Sequence, residues 1–276
     1  MSRPPPRILI IAGSDSSGGA GIQADIKTVT MLGGYAMTAI TALTAQNSTG
    51  VQAVQPADPD FVAAQVNSCV SDIGIDAIKI GMLGSTEVAH RVAACVERLD
   101  VPIVFDPVMI ATSGSVLAEP DTIAAFGRLM RTATLTTPNL PELEALGGIE
   151  AVHAVTRNVL VKGGHGTGAI IEDTLHAENG THIYSTERIA TGHTHGTGCT
   201  LASAIATGLG GGLSLSDATE RGIRFVEMAL KNAPGFGEGH GPVGHTLGFT
   251  PFYQRLAMLD PDGFDAEAWA ARWGDA

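Results

Sequence analysis

The sequence predicts an α/β protein: a central, mostly parallel sheet flanked by helices on both faces, in three α/β/α layers. Three observations predict it. Strand-like and helix-like stretches alternate almost throughout the 276 residues. The connections between them are short, and Gly, Pro, Asp and Asn punctuate the strand ends. The length suits one large α/β domain or two small ones, and a hydrophobic content of 44% is ordinary for a folded chain.

Taken in order, Arg7 to Ala12 is a β-branched run ending at Gly13, and Ile22, Ile26 and Val29 recur at helical spacing. Ala36 to Ala45 reads as a strand. Asp58-Pro59 opens a helix through Val62, Val66, Cys69 and Ile73. Ala77 to Ile80 is a strand, with a helix through Val88, Val92, Val96 and Leu99 after it. Pro102 to Asp106 is a strand, Asp121 to Met130 a helix, and Thr134 to Thr137 a strand stopped by Pro138. Leu140 to Leu146 is a short helix ended by Gly147-Gly148. Asn158 to Val161 is a strand that delivers Lys162. Ala169 to Glu172, Thr174 to His176 and His182 to Ser185 read as short strands, with a hairpin turn at Asn179-Gly180. An alanine-rich helix follows Gly198, then another with Ile223, Val226 and Leu230 on one face. Phe249 to Trp273 reads as a helical extension, which divides the chain into a domain over 1–245 and a tail over 246–276.

The net charge of −12 with no Lys/Arg cluster argues against a nucleic-acid surface. No apolar run reaches membrane-spanning length, and Met1 to Pro6 lacks the apolar core of a signal peptide. Cys69 and Cys95 lie on apolar helix faces, and three cysteines form neither a disulfide nor a zinc framework. A cytoplasmic protein is the simplest account. His193-x-His195 has no evident partner ligand, so the nine histidines suggest no metal site.

In a parallel sheet, ligands sit beyond the carboxyl ends of the strands. Gly13, Asp106, Pro138-Asn139 and Lys162 all follow strand-like runs and so share one edge. Gly13 to Gly21 allows close backbone approach, but it is neither a Walker A loop nor G-x-G-x-x-G. Asp25 falls on the polar side of the helix after it, where it suits an amine-bearing ligand or plain solvent. Gln46 ends a strand with an amide that donates and accepts together, as a heteroaromatic edge requires, or as a turn does. Asp106 and Glu142 are candidate Mg²⁺ ligands near phosphates, although Asn139 and Glu142 equally suit a helix cap. Lys162 beside Gly163-Gly164 is a plausible phosphate contact. Finally, His195-Gly196-Thr197-Gly198-Cys199-Thr200 opens a helix whose free N–H groups form an anion hole. The same helix end is expected to lower the pKa of Cys199, about 8.5 in a free thiol.

The blocks 11–25, Thr41 to Asn47, Lys79 to Leu83, Asp106 to Met109, Thr137 to Glu142, Val161 to His165, Thr194 to Thr200 and Gly239 to Val243 together resemble the hydroxymethylpyrimidine/phosphomethylpyrimidine kinases of thiamine biosynthesis. They occur in family order over about residues 7 to 245. The resemblance implies a ribokinase-like fold, ATP with Mg²⁺, and a homodimer. It implies that Gly13, Asp25, Gln46, Met82 and Val108 hold the pyrimidine and that Cys199 stands at the position of a catalytic base. It further assigns Asp106, Asn139, Glu142 and Lys162 to magnesium and the ATP phosphates, with Thr197 and Gly198 beside them. The stretch between Gly147 and Asn158 is short where relatives insert another helix, so a more open nucleotide side is expected. The implied reaction is two successive phosphorylations, of the pyrimidine alcohol and then of its monophosphate. Gly196, Gly198 and Cys199 N–H groups and Lys162 would stabilise the transferring phosphoryl. A pyridoxine/pyridoxal kinase is the nearest alternative. An oxidoreductase reading of Gly196-x-Gly198 lacks the acidic residue about twenty positions on, and a non-catalytic pyrimidine-binding protein has no need of Asp106, Glu142, Lys162 and Cys199 together.

Overall fold

A computed structural model describes residues 4–111, 114, 117–118 and 120–248. The chain begins with β1 (Arg7–Asp15), α1 (Gly21–Met31), β2 (Tyr35–Asn47), β3 (Gly50–Pro56) and α2 (Pro59–Asp72). It continues through β4 (Ala77–Ile80), α3 (Thr86–Val96), β5 (Ile103–Phe105), α4 (Pro120–Thr132) and β6 (Leu135–Thr136). Next come α5 (Leu140–Ala145), α6 (Gly148–His153), β7 (Val159–Val161) and a 3₁₀ turn at Gly163–His165. β8 (Ile170–Ala177), β9 (Gly180–Glu187), α7 (Thr197–Gly210) and α8 (Leu215–Lys231) complete the described part.

The strands form one sheet in the order β3-β2-β1-β4-β5-β6-β7-β8-β9. The neighbours from β2 to β7 are parallel, whereas β3, β8 and β9 pair antiparallel at the two ends. The chain leaves β1 for β2 on one side and later returns to β4 on the other. Such a divergence opens a crevice at the carboxyl ends of the strands.

Alternation along β1 divides the core into two layers. Leu9 and Ile11 join the cluster formed with α2, α3 and α4, where Phe105 meets the edge of Phe126 at 5.2 Å. Ile8, Ile10 and Ala12 join α1, α7 and α8 on the opposite face. Both faces of the sheet are thus covered, as the apolar β1 run requires. Local signals set several boundaries. Asp58 accepts from the Phe61 N–H and caps α2, Ser85 caps α3 through the Val88 N–H, and Ser214 caps α8 through the Asp217 N–H. Each cap of this kind contributes about 1 kcal/mol.

The structure departs from the sequence reading in four places. β2 runs on to Asn47 and turns back as β3, an edge strand that its Gln-rich, Pro56-terminated sequence disguised. Ala169–Glu172 and Thr174–His176 form one continuous strand, β8, because β9 pairs with it along its whole length. The short stretch after Gly147 carries the six-residue α6, anchored by the buried Val152. The buried stripe of α1 is Ile22, Ala24, Asp25, Thr28 and Val29, leaving Ile26 exposed. That rotation carries Asp25 from the expected polar side into the core. The helical extension expected over 246–276 falls almost entirely outside the described residues.

Candidate active site

Two glycine turns meet at the carboxyl edge of β1. Gly21 has φ +55, and a Cβ there would lie 2.3 Å from the Gly13 oxygen. Gly196 caps α7 with φ +86, and a Cβ there would lie 1.9 Å from the Gly19 oxygen. Only glycine permits this conformation and this contact together. The loop after β1 is therefore pressed against the amino end of α7.

Asp15 organises that loop. Its carboxylate accepts from the N–H and hydroxyl of Ser17 and from the N–H groups of Gly19 and Ala20. His195 Nε2 lies 2.8 Å from Asp15 Oδ2. Burial opposes the charge of Asp15, but His195, Ser17 and the loop N–H groups outweigh it and hold its pKa at about 2. Gln46 comes next, its Nε2 3.3 Å from His195 Nε2 and its Oε1 accepting from Thr44 Oγ1 at 3.1 Å. On the neighbouring strands Gly13 faces Met82, whose Sδ would lie 3.1 Å from an added Cβ. Met82 is buried and its carbonyl accepts from Thr41 Oγ1, while Val108 is half-buried and donates its N–H to the Asp106 carbonyl.

A second group forms around Asp106. Its Oδ1 accepts from Lys162 Nζ at 2.7 Å and from Thr137 Oγ1 at 3.0 Å. Lys162 Nζ is also 3.8 Å from Glu142. A Cβ on Gly198 would lie 3.4 Å from Lys162 Nζ and 3.5 Å from Asp106 Oδ2, so the absent side chain leaves room beside both charges. Burial works against the Lys162 ammonium, but Asp106 and Glu142 more than offset it and raise its pKa. Burial raises the Glu142 pKa to about 7, helped by the nearby Asp106 and opposed by Lys162. Asn139 and Glu142 form a reciprocal capping box at the start of α5. The cap reading of the pair is the one observed, and it holds Glu142 toward Lys162.

Between these groups stands Cys199, half-buried in the first turn of α7, whose N–H groups no side chain caps. Its pKa is raised to about 11, the reverse of the sequence expectation. Burial dominates; Lys79 and the Gly21 N–H favour the thiolate, but Asp25 and Asp106 disfavour it. The helix terminus is real, but burial of the thiol, helped by two carboxylates from distant parts of the chain, overrides it. Thr197, also half-buried, turns its N–H back to the Thr194 carbonyl.

Asp25 is the second correction. It is fully buried, accepting from Lys79 Nζ at 2.8 Å and from Ser203 Oγ at 2.7 Å. Lys79 keeps its charge despite complete burial, because Asp25, Cys199 and Asp106 all favour the ammonium. Sequence reasoning missed Lys79, although a lysine inside the apolar run Ala77–Ile80 was a signal. It also left Asp15 and His195 without roles; the dense set of N–H donors in the Gly13 to Gly21 loop was the available clue.

A family model described as phosphomethylpyrimidine kinase matches residues 15–244. The chain is 43% identical over 258 residues to the hydroxymethylpyrimidine/phosphomethylpyrimidine kinase of Mycobacterium tuberculosis, covering 87% of this chain and 93% of the relative. It is 44% identical over 255 residues to the thiamine biosynthesis bifunctional protein ThiED of Geobacter sulfurreducens, of whose length it spans about half, 52%. Among solved structures, an ADP complex of Bacillus subtilis pyridoxal kinase superposes with a TM-score of 0.81 at 33% identity, covering 88% of this chain and 98% of that one. A phosphomethylpyrimidine kinase from Clostridium difficile superposes with a TM-score of 0.71 at 36% identity, covering 81% and 99%. The fold is ribokinase-like, and the chain belongs to the phosphomethylpyrimidine kinase family.

Proposed function

We propose that this chain transfers the terminal phosphate of ATP to the hydroxymethyl group of 4-amino-5-hydroxymethyl-2-methylpyrimidine, and then phosphorylates the resulting monophosphate, in thiamine biosynthesis. The observation that carries the reading is the position of Cys199 and the open amino end of α7 between the polar group of Asp15, His195 and Gln46 and a lysine held among carboxylates. In this reading Gly13, Gln46, Met82 and Val108 hold the ring. Asp25 joins them only if its sealed contacts with Lys79 and Ser203 open. The alcohol oxygen attacks the terminal phosphorus, the bond to ADP breaks, and the alcohol proton leaves. Gly196, Gly198 and Cys199 N–H groups and Lys162 stabilise the charge on the transferring group, Thr197 lies beside the nucleotide phosphates, and Asn139 holds Glu142 in place.

Asp106 and Glu142 suit Mg²⁺, which binds through one or two carboxylates plus phosphate and water. Burial, and to a lesser extent the nearby Asp106, raises the Glu142 pKa, and a divalent cation would offset both. When bound, such a cation offsets phosphate charge. With a pKa of about 11, Cys199 is protonated at neutral pH, so it serves as a base only through its minor thiolate form. The second phosphorylation needs no base, because its acceptor is already an ionised phosphate.

A homodimer in the cytoplasm completes the proposal. Val54, exposed on the edge strand β3, supports the dimer, as does Leu43, exposed on the opposite face of the β2–β3 ribbon, since exposed apolar side chains favour a partner. Sedimentation of the wild type against Leu43→Asp tests it. The pyridoxal kinase likeness keeps pyridoxine-type alcohols as the second reading. ADP release measured against a panel of pyrimidine and pyridine alcohols decides between them. Release with the pyridines and none with the aminopyrimidine would overturn the first reading.

A further inference from the structure

We propose that His195, oriented by Asp15, fixes the direction in which the Gln46 amide faces, and thereby selects the order of donor and acceptor on the ring edge that the site takes. The inference rests on the reading above that Gln46 meets a heteroaromatic ring.

The hydrogens around a single nitrogen decide the orientation of the amide. His195 Nε2 touches Asp15 Oδ2 at 2.8 Å and Gln46 Nε2 at 3.3 Å. Asp15 already accepts from three loop N–H groups and the Ser17 hydroxyl, a set that only an ionised carboxylate satisfies. An ionised carboxylate donates nothing, so the hydrogen of the short contact belongs to His195 Nε2. That nitrogen is then a donor, and the amide nitrogen of Gln46 is also a donor. Two N–H groups cannot satisfy each other. Turning the Gln46 amide by 180° removes the conflict. Its oxygen then shares the one His195 Nε2–H with Asp15 Oδ2 in a three-centre bond, and its nitrogen donates to Thr44 Oγ1. Thr44 remains consistent, because its own hydrogen goes to the Ser14 carbonyl at 3.0 Å.

The backbone leaves Gln46 little freedom to answer otherwise. Its N–H and carbonyl are both tied to Ser16 Oγ at 2.8 Å, and the β2–β3 register shifts between Ala45 and Gln46. His195 is itself held, with its N–H on the Gly241 carbonyl and its ring against Gly19. With Thr44 and His195 each taking one position, the amide keeps one lone pair and one hydrogen side by side. An aminopyrimidine edge, with an exocyclic N–H beside a ring nitrogen, matches that pair in one direction only. A 4-oxo ring offers the opposite order, and could match only by turning over, which would swing its hydroxymethyl group to the other side. His195 is thus a positioning residue that acts through Gln46.

The test compares kcat/KM for 4-amino-5-hydroxymethyl-2-methylpyrimidine and its 4-oxo analogue. The wild type is expected to favour the amino compound by roughly a hundredfold or more, since mismatched buried donors and acceptors are strongly rejected. In His195→Met the preference should fall to about fivefold or less, mostly through KM for the ring and with KM for ATP unchanged. His195→Gln, which retains a donor, should restore most of the preference. An undiminished preference in His195→Met would overturn the proposal. A wild type that phosphorylates neither pyrimidine would sink the functional reading instead. The orientation is then decided on the unmodified protein by ¹⁵N NMR of the imidazole. The Nε2–H form is expected, and a neutral ring carrying its hydrogen on Nδ1 would refute it.

Discussion

Two lysine–aspartate pairs influence Cys199, and they differ in what can reach them. Lys79 and Asp25 are both 0% exposed at 2.8 Å, with Ser203 on the remaining carboxylate oxygen. Lys162 and Asp106 lie 2.7 Å apart, but Lys162 keeps 13% of its side chain exposed and has Glu142 at 3.8 Å as an alternative partner. The chemistry is the same and the consequences are opposite. A sealed pair must open before it can trade its partner for a ligand; closed, it sets a fixed potential at Cys199 and ties α1 and α7 to β4. An open pair can turn its ammonium toward an incoming phosphate at little cost. The first pair serves stability, and in the proposed reaction the second handles charge.

The largest effect should come from breaking the sealed pair. Lys79→Met leaves Asp25 buried with no counter-charge, so that it must bear an uncompensated charge or take up a proton, and should cost about 3–5 kcal/mol in denaturant unfolding. Adding Asp25→Leu should recover much of that loss; a double variant as unstable as the single one would mean that packing, not charge, holds the site. Lys162→Met should behave in the opposite way, with a midpoint near wild type but kcat/KM lower by about 10²–10³. A large stability loss with modest kinetics would erase the distinction between the pairs.

Cys199, lying between the pairs, gives a finer test. Cys199→Ala should slow the first phosphorylation by about 10- to 100-fold and the second by less than about threefold. Equal losses would leave Cys199 a packing or phosphate-side role. The pH dependence sharpens this further. Below a pKa of about 11 the thiolate fraction grows about tenfold per pH unit. The first-step rate should therefore keep rising from pH 7 to 9 relative to the second. Ionisation of Glu142 near pH 7 affects both steps and cancels in their ratio. A ratio that stays flat with pH would exclude Cys199 as base.

Much of the fold could be read from local chemistry. The β1 run, the Asp58 cap, the Asn139/Glu142 cap and the Asn179-Gly180 turn each act over a few residues, and each lies where the sequence suggested. β3 was not legible, because a polar, proline-ended edge strand is defined by its partner β2. The face of α1 was misjudged for a related reason. Ile22, Ile26 and Val29 form an apolar stripe, but the presence of Lys79 across the interface makes Asp25 the better buried residue.

The site divides along the same line. By itself the sequence determined which residue types gather at the strand ends: the glycines at 13, 21, 196 and 198, the carboxylates at 106 and 142, the lysine at 162 and the amide at 46. Strand–helix alternation and turn chemistry are short-range, so one chain read in order suffices. Only the tertiary structure decided their electrical states. The Cys199 thiol is pushed up, Asp15 is held down beside His195, and Asp25 is closed off by Lys79. The physical reason is that a pKa is set by burial and by charges within a few ångströms. Here those charges come from segments far apart in sequence, which the folded sheet alone brings together.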